Sequence, residues 1–191
     1  MPDFSDYLKA GYCCLWICSP EPDRAERVLA KVALETNDVP PVRWDIAQGF
    51  TSLADNTRKA CPSPVQAVKE AAVMPDKTVV FLWNFHRILA GLEVIQALQN
   101  AVPELKAKRS CLVVLAPSTE KLPEELARVF TTIDFPLPDR AELKLAMVEI
   151  SEPYHVPVPD DPALVEAALG MTDMEAEDAF ALSLVTKKGF D

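Results

Sequence analysis

Glycine is scarce in this chain of 191 residues: there are five, and no two of them lie close together. A loop that binds phosphate through successive main-chain N–H groups needs several glycines in a short run, together with a lysine. No stretch of the sequence has that composition. The chain is therefore predicted to lack a phosphate-binding loop and not to hydrolyse a nucleotide by itself.

Histidines and suitably spaced cysteines are also scarce. The two histidines, His86 and His155, are too few for a typical histidine-based metal centre. Of the five cysteines, Cys14 and Cys18 have only a weak resemblance to zinc-ligand spacing. Cysteines inside apolar runs, in an odd number, favour buried thiols in a reducing compartment. We therefore expect no metal, no cofactor and a cytoplasmic location.

Basic residues are outnumbered by acidic ones, 19 to 29, which gives a net charge of −10. Nucleic-acid affinity comes mainly from cations that displace phosphate counterions, so this balance argues against a nucleic-acid partner. The basic residues that cluster are Lys106, Lys108, Arg109, Lys187 and Lys188. No apolar run reaches the about 20 residues needed to cross a bilayer, so no membrane partner is expected.

Short apolar runs do occur, and they alternate with helical patterns. The runs lie at residues 12–18, 42–46, 78–83, 110–116 and 131–135. Continuous apolar runs are typical of strands covered on both faces, and alternation with helices indicates βαβ units. The sequence predicts an α/β fold with a mostly parallel five-stranded sheet flanked by helices. The first, third and fourth strands should be central, because their runs are the most apolar.

Helical patterns occupy residues 23–35, 64–72, 88–101, 123–130 and 139–150. The pattern changes near Ser151, where a proline-rich connector begins. Beyond it, Gly170 is suited to end one short helix. Residues 172–175 form a capping box that would start another. We predict an α/β core over residues 1–150 and a connector with a small helical lid-like segment over residues 151–191.

The turn after the first strand is unsuited to an anion. Ser19, Pro20 and Glu21 open it, and a proline and an aspartate follow. Proline has no N–H to donate, and the acids repel phosphate. At the end of the third strand, where a magnesium-dependent nucleotide hydrolase carries an aspartate, the chain has Asn84.

An alternative interpretation places a ligand pocket at the carboxyl ends of the strands, where α/β proteins commonly bind small molecules. Its lining would be Cys18, Ser19, Asn84, His86, Pro117, Ser118 and Thr119. Such a pocket would make the chain a small-molecule-binding or hydrolytic α/β protein.

Four stretches carry a resemblance to a known family: WNFHRIL, SCLVVLAPS, PLPDRAEL and TDMEAEDAFA. In this order they resemble an AAA+ ATPase module. More narrowly, they resemble the amino-terminal, Walker A-less half of AAA ATPases related to an uncharacterised chloroplast and cyanobacterial reading frame. The resemblance covers residues 10–187 and implies a P-loop NTPase-like core with a helical lid.

The resemblance also implies roles for particular residues, none of them catalytic. The degenerate nucleotide-site positions would be Ser19, Pro20, Glu21, Asn84, His86 and Ser118. Arg128 and Arg140 lie where such modules present arginines to a neighbour, so they form the possible interface.

The implied function is that of a catalytically silent AAA+-like domain, not an enzyme. A domain can keep the surfaces by which it packs against other modules after it has lost its catalytic residues. It would act as an assembly, adaptor or regulatory module through protein contacts. Its partner would be a second copy, in a homo-oligomer, or a competent AAA ATPase subunit. A nucleic-acid-associated accessory protein is the remaining alternative.

Overall fold

The structure is a computed structural model that describes residues 3–190. The helices of this part of the chain are α1 (Phe4–Ala10), α2 (Pro22–Asn37), α3 (Pro64–Val73), α4 (Leu92–Lys108), α5 (Arg140–Ser151), α6 (Pro162–Ala168) and α7 (Asp173–Lys187). The strands are β1 (Cys14–Cys18), β2 (Val42–Asp45), β3 (Gly49–Ser52), β4 (Arg58–Lys59), β5 (Val79–Trp83), β6 (Cys111–Ala116) and β7 (Thr131–Asp134). Short 3-10 turns lie at Phe85–Arg87, Glu124–Leu126 and Glu152–Tyr154.

The strands form one sheet in the order β4-β3-β2-β5-β6-β1-β7. Five neighbouring strands are parallel to one another: β2, β5, β6, β1 and β7. β3 and β4 extend the β2 edge in antiparallel fashion. The predicted α/β class, the mostly parallel sheet and the central position of β1, β5 and β6 are confirmed. The predicted number of five strands is wrong, because the sheet has seven.

The two unpredicted strands, β3 and β4, carry little hydrophobic signal. A side-chain turn reverses the chain after β2: Asp45 Oδ1 accepts the N–H groups of Ala47 and Gln48, each at 2.8 Å. Gly49 then begins β3 with φ at 77°, a left-handed value that favours glycine. β4 has two residues, both exposed. With the sequences GFTS and RK, β3 and β4 lack the apolar run on which the prediction depended.

The sheet is covered by helices on both faces, because successive strand residues point to opposite sides. On one face, the fully buried side chains of Trp16 and Trp44 belong to a core that includes residues of α3 and α4. On the other face, Leu15 and Phe81 belong to a core that includes residues of α1 and α2. This two-sided cover explains why the central strands read as continuous apolar runs.

The helices differ from the sequence prediction in three places. α1 was not predicted, although Phe4 and Leu8, one turn apart, are both buried. α4 begins four residues later than predicted, because residues 88–90 form a turn and Gly91 is the N-cap residue, and it ends at Lys108, seven residues later than predicted. The prediction of a helix at residues 123–130 is wrong, because only a 3-10 turn of three residues forms there. Within residues 3–190, no helix has the length and apolarity that crossing a membrane requires.

The chain divides into two compact units, one up to Phe135 and one from Pro136. This division differs from the boundary that the sequence suggested at residue 150. The reason is that α5 buries Leu143 and Met147 in a core with Ala168 and Phe180, which belong to α6 and α7. The capping box predicted at residues 172–175 is confirmed: Thr172 and Glu175 cap the start of α7 reciprocally.

Candidate functional site

The loop from β1 to α2 satisfies its own main-chain donors. Ser19, which is 3% exposed, donates its N–H to the main-chain oxygen of Ala116 at 2.8 Å. Its Oγ accepts the N–H of Glu21 at 3.0 Å. Pro22 is the first residue of α2, and neither it nor Pro20 has an N–H. From Ser19 to Pro22, every N–H is therefore either absent or already donated within the protein.

A buried ion pair occupies the start of α2. Arg24 Nη1 lies 3.6 Å from Glu21 Oε2, and the two side chains are 6% and 9% exposed. The Arg24 guanidinium also lies over the ring of Phe135, 5.0 Å from its centroid. Asp23 adds a further negative charge in the first turn. The positive charge of this region is thus already matched by a carboxylate and an aromatic face.

Asn84 lies at the end of β5 and forms a turn. It is exposed and has left-handed dihedral angles, φ 53° and ψ 15°. Its main-chain oxygen accepts the N–H of Arg87 at 2.9 Å, at the start of the 3-10 turn. Asparagine is one of the few residues besides glycine that adopts this conformation readily. The geometry of the turn therefore accounts for an asparagine at this position.

His86 is the buried polar residue of the same turn. Its side chain is 8% exposed, and its buried Nδ1 has no hydrogen-bond partner among residues 3–190. Burial, and after it the charge of Arg87, lowers the pKa of His86, while a hydrogen bond with the main chain of Leu115 partly opposes this. The imidazole is therefore neutral near pH 7, with one lone-pair nitrogen that is suited to accept a proton or a hydrogen bond.

A cavity of about 220 Å³ opens at the carboxyl ends of β1, β5 and β6. It is lined by Ser19, Pro20, Pro22, Trp83, Asn84, His86, Arg87, Leu115, Ala116 and Pro117. Four of the six positions that the resemblance singled out thus meet here. The other two do not line it: Glu21 pairs with Arg24, and Ser118 Oγ accepts the N–H of Glu120 at 3.3 Å. Of the pocket lining that the sequence suggested, Cys18 and Thr119 are also outside.

Sequence reasoning missed Pro22, Leu115 and Ala116 in this lining, and it also missed two larger side chains, Trp83 and Arg87. Both are next to residues that were singled out, since Trp83 precedes Asn84 and Arg87 follows His86. Their position at a strand end was a sufficient signal, because a tight turn brings consecutive side chains to the same edge. In the part of the chain from 3 to 190, no three His, Cys, Asp or Glu side chains are grouped so as to hold a metal ion.

One wall of the cavity is fixed by a buried carboxylate. Glu26, on α2 and 4% exposed, accepts hydrogen bonds from Trp83 Nε1 and from Arg43 Nε, the latter at 2.8 and 3.0 Å. The Arg43 guanidinium lies 4.9 Å from the centroid of the Trp83 ring. The hydrogen bond to Glu26 is the main cause that raises the pKa of Arg43. Helix α2 and strands β2 and β5 are therefore joined at Trp83, which limits how far this wall can move.

The two arginines of the possible interface have different surroundings. Arg128 is exposed, and within residues 3–190 its side chain has no hydrogen bond or ion pair. Arg140, in the second unit, lies 3.1 Å from Glu166, and both side chains are more than half exposed. An exposed pair of this kind contributes about 0–1 kcal/mol to stability. Stabilisation of the fold therefore does not account for an arginine at either position.

The fold and this edge of the sheet define an AAA-like α/β module. The chain matches the family described as the SpoVK-like AAA ATPase N-terminal domain over residues 1–135. It belongs to this family. The matched range ends where the first compact unit ends, at Phe135.

Relatives of greater length support the same assignment. The AAA domain-containing protein ycf46 of Guillardia theta is 26% identical in an alignment of 190 residues that covers 97% of this chain and 37% of that protein. The ycf46 protein of Trieres chinensis is 25% identical over 162 residues, 84% of this chain and 32% of its own length. The chain thus spans about a third of the length of these relatives.

Proposed function

We propose that this chain is a catalytically silent AAA-like module that works through protein contacts, with an AAA ATPase module or a second copy of itself as partner. The observation that carries the proposal is the loop from Ser19 to Pro22. A phosphate at this position would need free N–H groups and an unmatched cation. The loop has neither, since its N–H groups are absent or engaged and Arg24 is paired with Glu21.

The intact packing of the fold supports the proposal that one of its surfaces still binds a partner. Nearly all side chains of the central strands are buried, and both hydrogen bonds of the capping box at the start of α7 are present. Loss of chemistry without loss of packing is expected when the body continues to bind a partner. The ycf46 relatives are named AAA domain-containing proteins, and they are about three times as long as this chain. Their names and lengths support an AAA ATPase module as the partner.

Calorimetric titration with ATP and Mg²⁺ is expected to show no binding tighter than about 1 mM, which corresponds to about 4 kcal/mol. The reason is the absence of free donors in the Ser19–Pro22 loop. Micromolar affinity would contradict the proposal. As a matched control for the method, the AAA module of a full-length relative should be titrated under the same conditions.

A second candidate is ligand binding in the cavity beside His86. The observation that favours it is the buried, neutral imidazole with an unpartnered Nδ1. Pro117, predicted for such a pocket, lines the cavity together with Ser19 and Asn84. If the wild-type protein hydrolysed a small ester or a nucleotide, and His86→Ala abolished that activity, this candidate would replace the first.

The contact itself is tested with arginine variants. Replacing Arg128 and Arg140 together by alanine is expected to weaken association at least about tenfold, because interface arginines are often dominant contributors to binding. Self-association is measured by light scattering, and binding to the purified AAA module of a full-length relative by pull-down. Folding should survive, since both side chains are exposed.

Arg58→Ala is the matched control, because Arg58 is also exposed and has no ion pair within the described residues. It should leave association unchanged. If the double variant associates as well as the wild type, Arg128 and Arg140 are not the contact. If the wild type binds neither a second copy nor the AAA module, the proposal itself fails.

A further inference from the structure

A basic cavity lies at the opposite edge of the sheet from the candidate site. It has a volume of about 170 Å³ and is lined by Leu8, Lys9, Thr36, Asn37, Lys77 and Arg109. Each of these residues closely precedes a parallel strand in sequence: β1, β2, β5 or β6. The amino ends of those four strands therefore bring together three cations that are far apart in the chain.

Hydrogen bonds join the segments that carry these cations. The Arg109 guanidinium donates to the main-chain oxygen of Lys9. The Asn37 amide donates to the main-chain oxygen of Lys77 at 2.7 Å. The N–H of Lys77 in turn donates to the main-chain oxygen of Lys108 at 2.9 Å. The cavity is thus held by bonds between separate elements, and its walls are ordered before any ligand binds.

Among the described residues, no acidic side chain balances the charge at this cavity. Within residues 3–190, none of Lys9, Lys77 and Arg109 forms an ion pair, and no carboxylate lines the cavity. This is unexpected in a chain with 29 acidic and 19 basic residues. By contrast, Lys108, from the cluster noted in the sequence, pairs with Glu104 at 3.6 Å.

Part of this positive charge is offset by helix ends. The helices α1, α2 and α4 all end beside the cavity, and their carbonyl ends carry partial negative charge. At about half a negative charge each, the three helix ends offset about half of the three positive charges, so a net positive charge remains. An oxyanion with two negative charges would offset that charge.

We propose that this cavity binds a phosphate group, either as inorganic phosphate or on a small soluble molecule. The Arg109 guanidinium suits the planar, two-point recognition of phosphate oxygens, and lysine ammonium groups act as point charges beside it. Thr36 also lines the cavity, and its side chain carries a hydroxyl, which can donate an uncharged hydrogen bond. Lys9 Nζ donates to Ser5 Oγ at 3.4 Å, which leaves two of its three N–H donors.

The test is the melting midpoint in phosphate, compared with chloride at the same ionic strength. Tryptophan fluorescence reports on the first unit, because Trp16, Trp44 and Trp83 all lie before Pro136. With a dissociation constant of about 1 mM, phosphate at about 20 mM should raise the midpoint by about 4 °C. Lys77→Gln and Arg109→Gln should each weaken binding at least about tenfold and so remove most of the rise. Arg109→Lys should restore part of it.

Lys69→Gln is the matched control, since Lys69 is an exposed lysine on α3 without an ion pair among the described residues. It should keep the full rise. An equal rise in all variants would show a general salt effect, and no rise in the wild type would show that phosphate does not bind; either result overturns the proposal. Glycerol phosphate separates the two sources: a larger rise than with inorganic phosphate assigns the site to a phosphorylated small molecule, and an equal rise assigns it to phosphate itself.

Discussion

Gly49→Ala is expected to destabilise the protein by about 2–5 kcal/mol, the sum of a left-handed backbone cost and a steric one. Gly49 has φ at 77°, and a Cβ there would lie 2.4 Å from both Cys61 N and Lys59 O. These are main-chain atoms, so no side-chain rotation relieves the clash. Moving them would disturb the β3–β4 pair and the hydrogen bond from Trp44 Nε1 to Cys61 O, which is 2.9 Å long. Urea unfolding followed by tryptophan fluorescence measures the loss.

Gly11→Ala provides the matched control for this prediction. Gly11 has nearly the same φ, 79°, but a Cβ there would meet nothing within 4 Å. It should therefore show the backbone cost alone, about 1–2 kcal/mol. The difference between the two variants isolates the steric contribution at Gly49. If both variants lose the same stability, the segment around Lys59 and Cys61 yields easily, and the two-strand extension of the sheet is loosely held.

The central sheet was predictable because its signal is local. Leu15, Trp16 and Ile17 are each at most 1% exposed. Because both faces of β1 are buried, its residues are apolar at every position, and the sequence has a continuous apolar run. β3 and β4 were not predictable in this way. Their place in the sheet depends on the Asp45 turn and on Gly49, which are single residues whose effect appears only once β2 is in position.

The candidate site was predictable in part, and for a topological reason. Residues that follow parallel strands meet at one edge of a sheet, which is why Ser19, Asn84 and His86 line one cavity. Side-chain pairing was not predictable. The ion pair of Glu21 with Arg24 depends on the rotation of helix α2, and the hydrogen bond from Trp83 Nε1 to Glu26 depends on a contact between that helix and the sheet. The basic cavity at the other edge joins residues from four separate elements, and only the fold brings them together.

Phe180→Ala is expected to have an effect of similar size in the second unit, about 3–5 kcal/mol. Phe180 is 7% exposed and shares a core with Leu143 and Met147 of α5. Its ring also meets that of Phe190 edge-on, with centroids 6.0 Å apart. A cavity of about 240 Å³ already borders the ring, so some contact area is missing before the substitution. This places the expected loss towards the lower end of the range.

Hydrogen exchange of the α5 and α7 amides is the suitable measurement, because tryptophan fluorescence does not report on residues after Phe135. A loss of about 3 kcal/mol lowers amide protection by more than about a hundredfold. Leu182→Ala is the matched control on the same helix, since Leu182 is 64% exposed, and it should change stability by no more than about 0.5 kcal/mol. Equal protection in the wild type and Phe180→Ala would mean that α7 is held by contacts other than this ring. Loss of protection in α7 alone, with α5 unaffected, would mean that the two helices do not share one cooperative core.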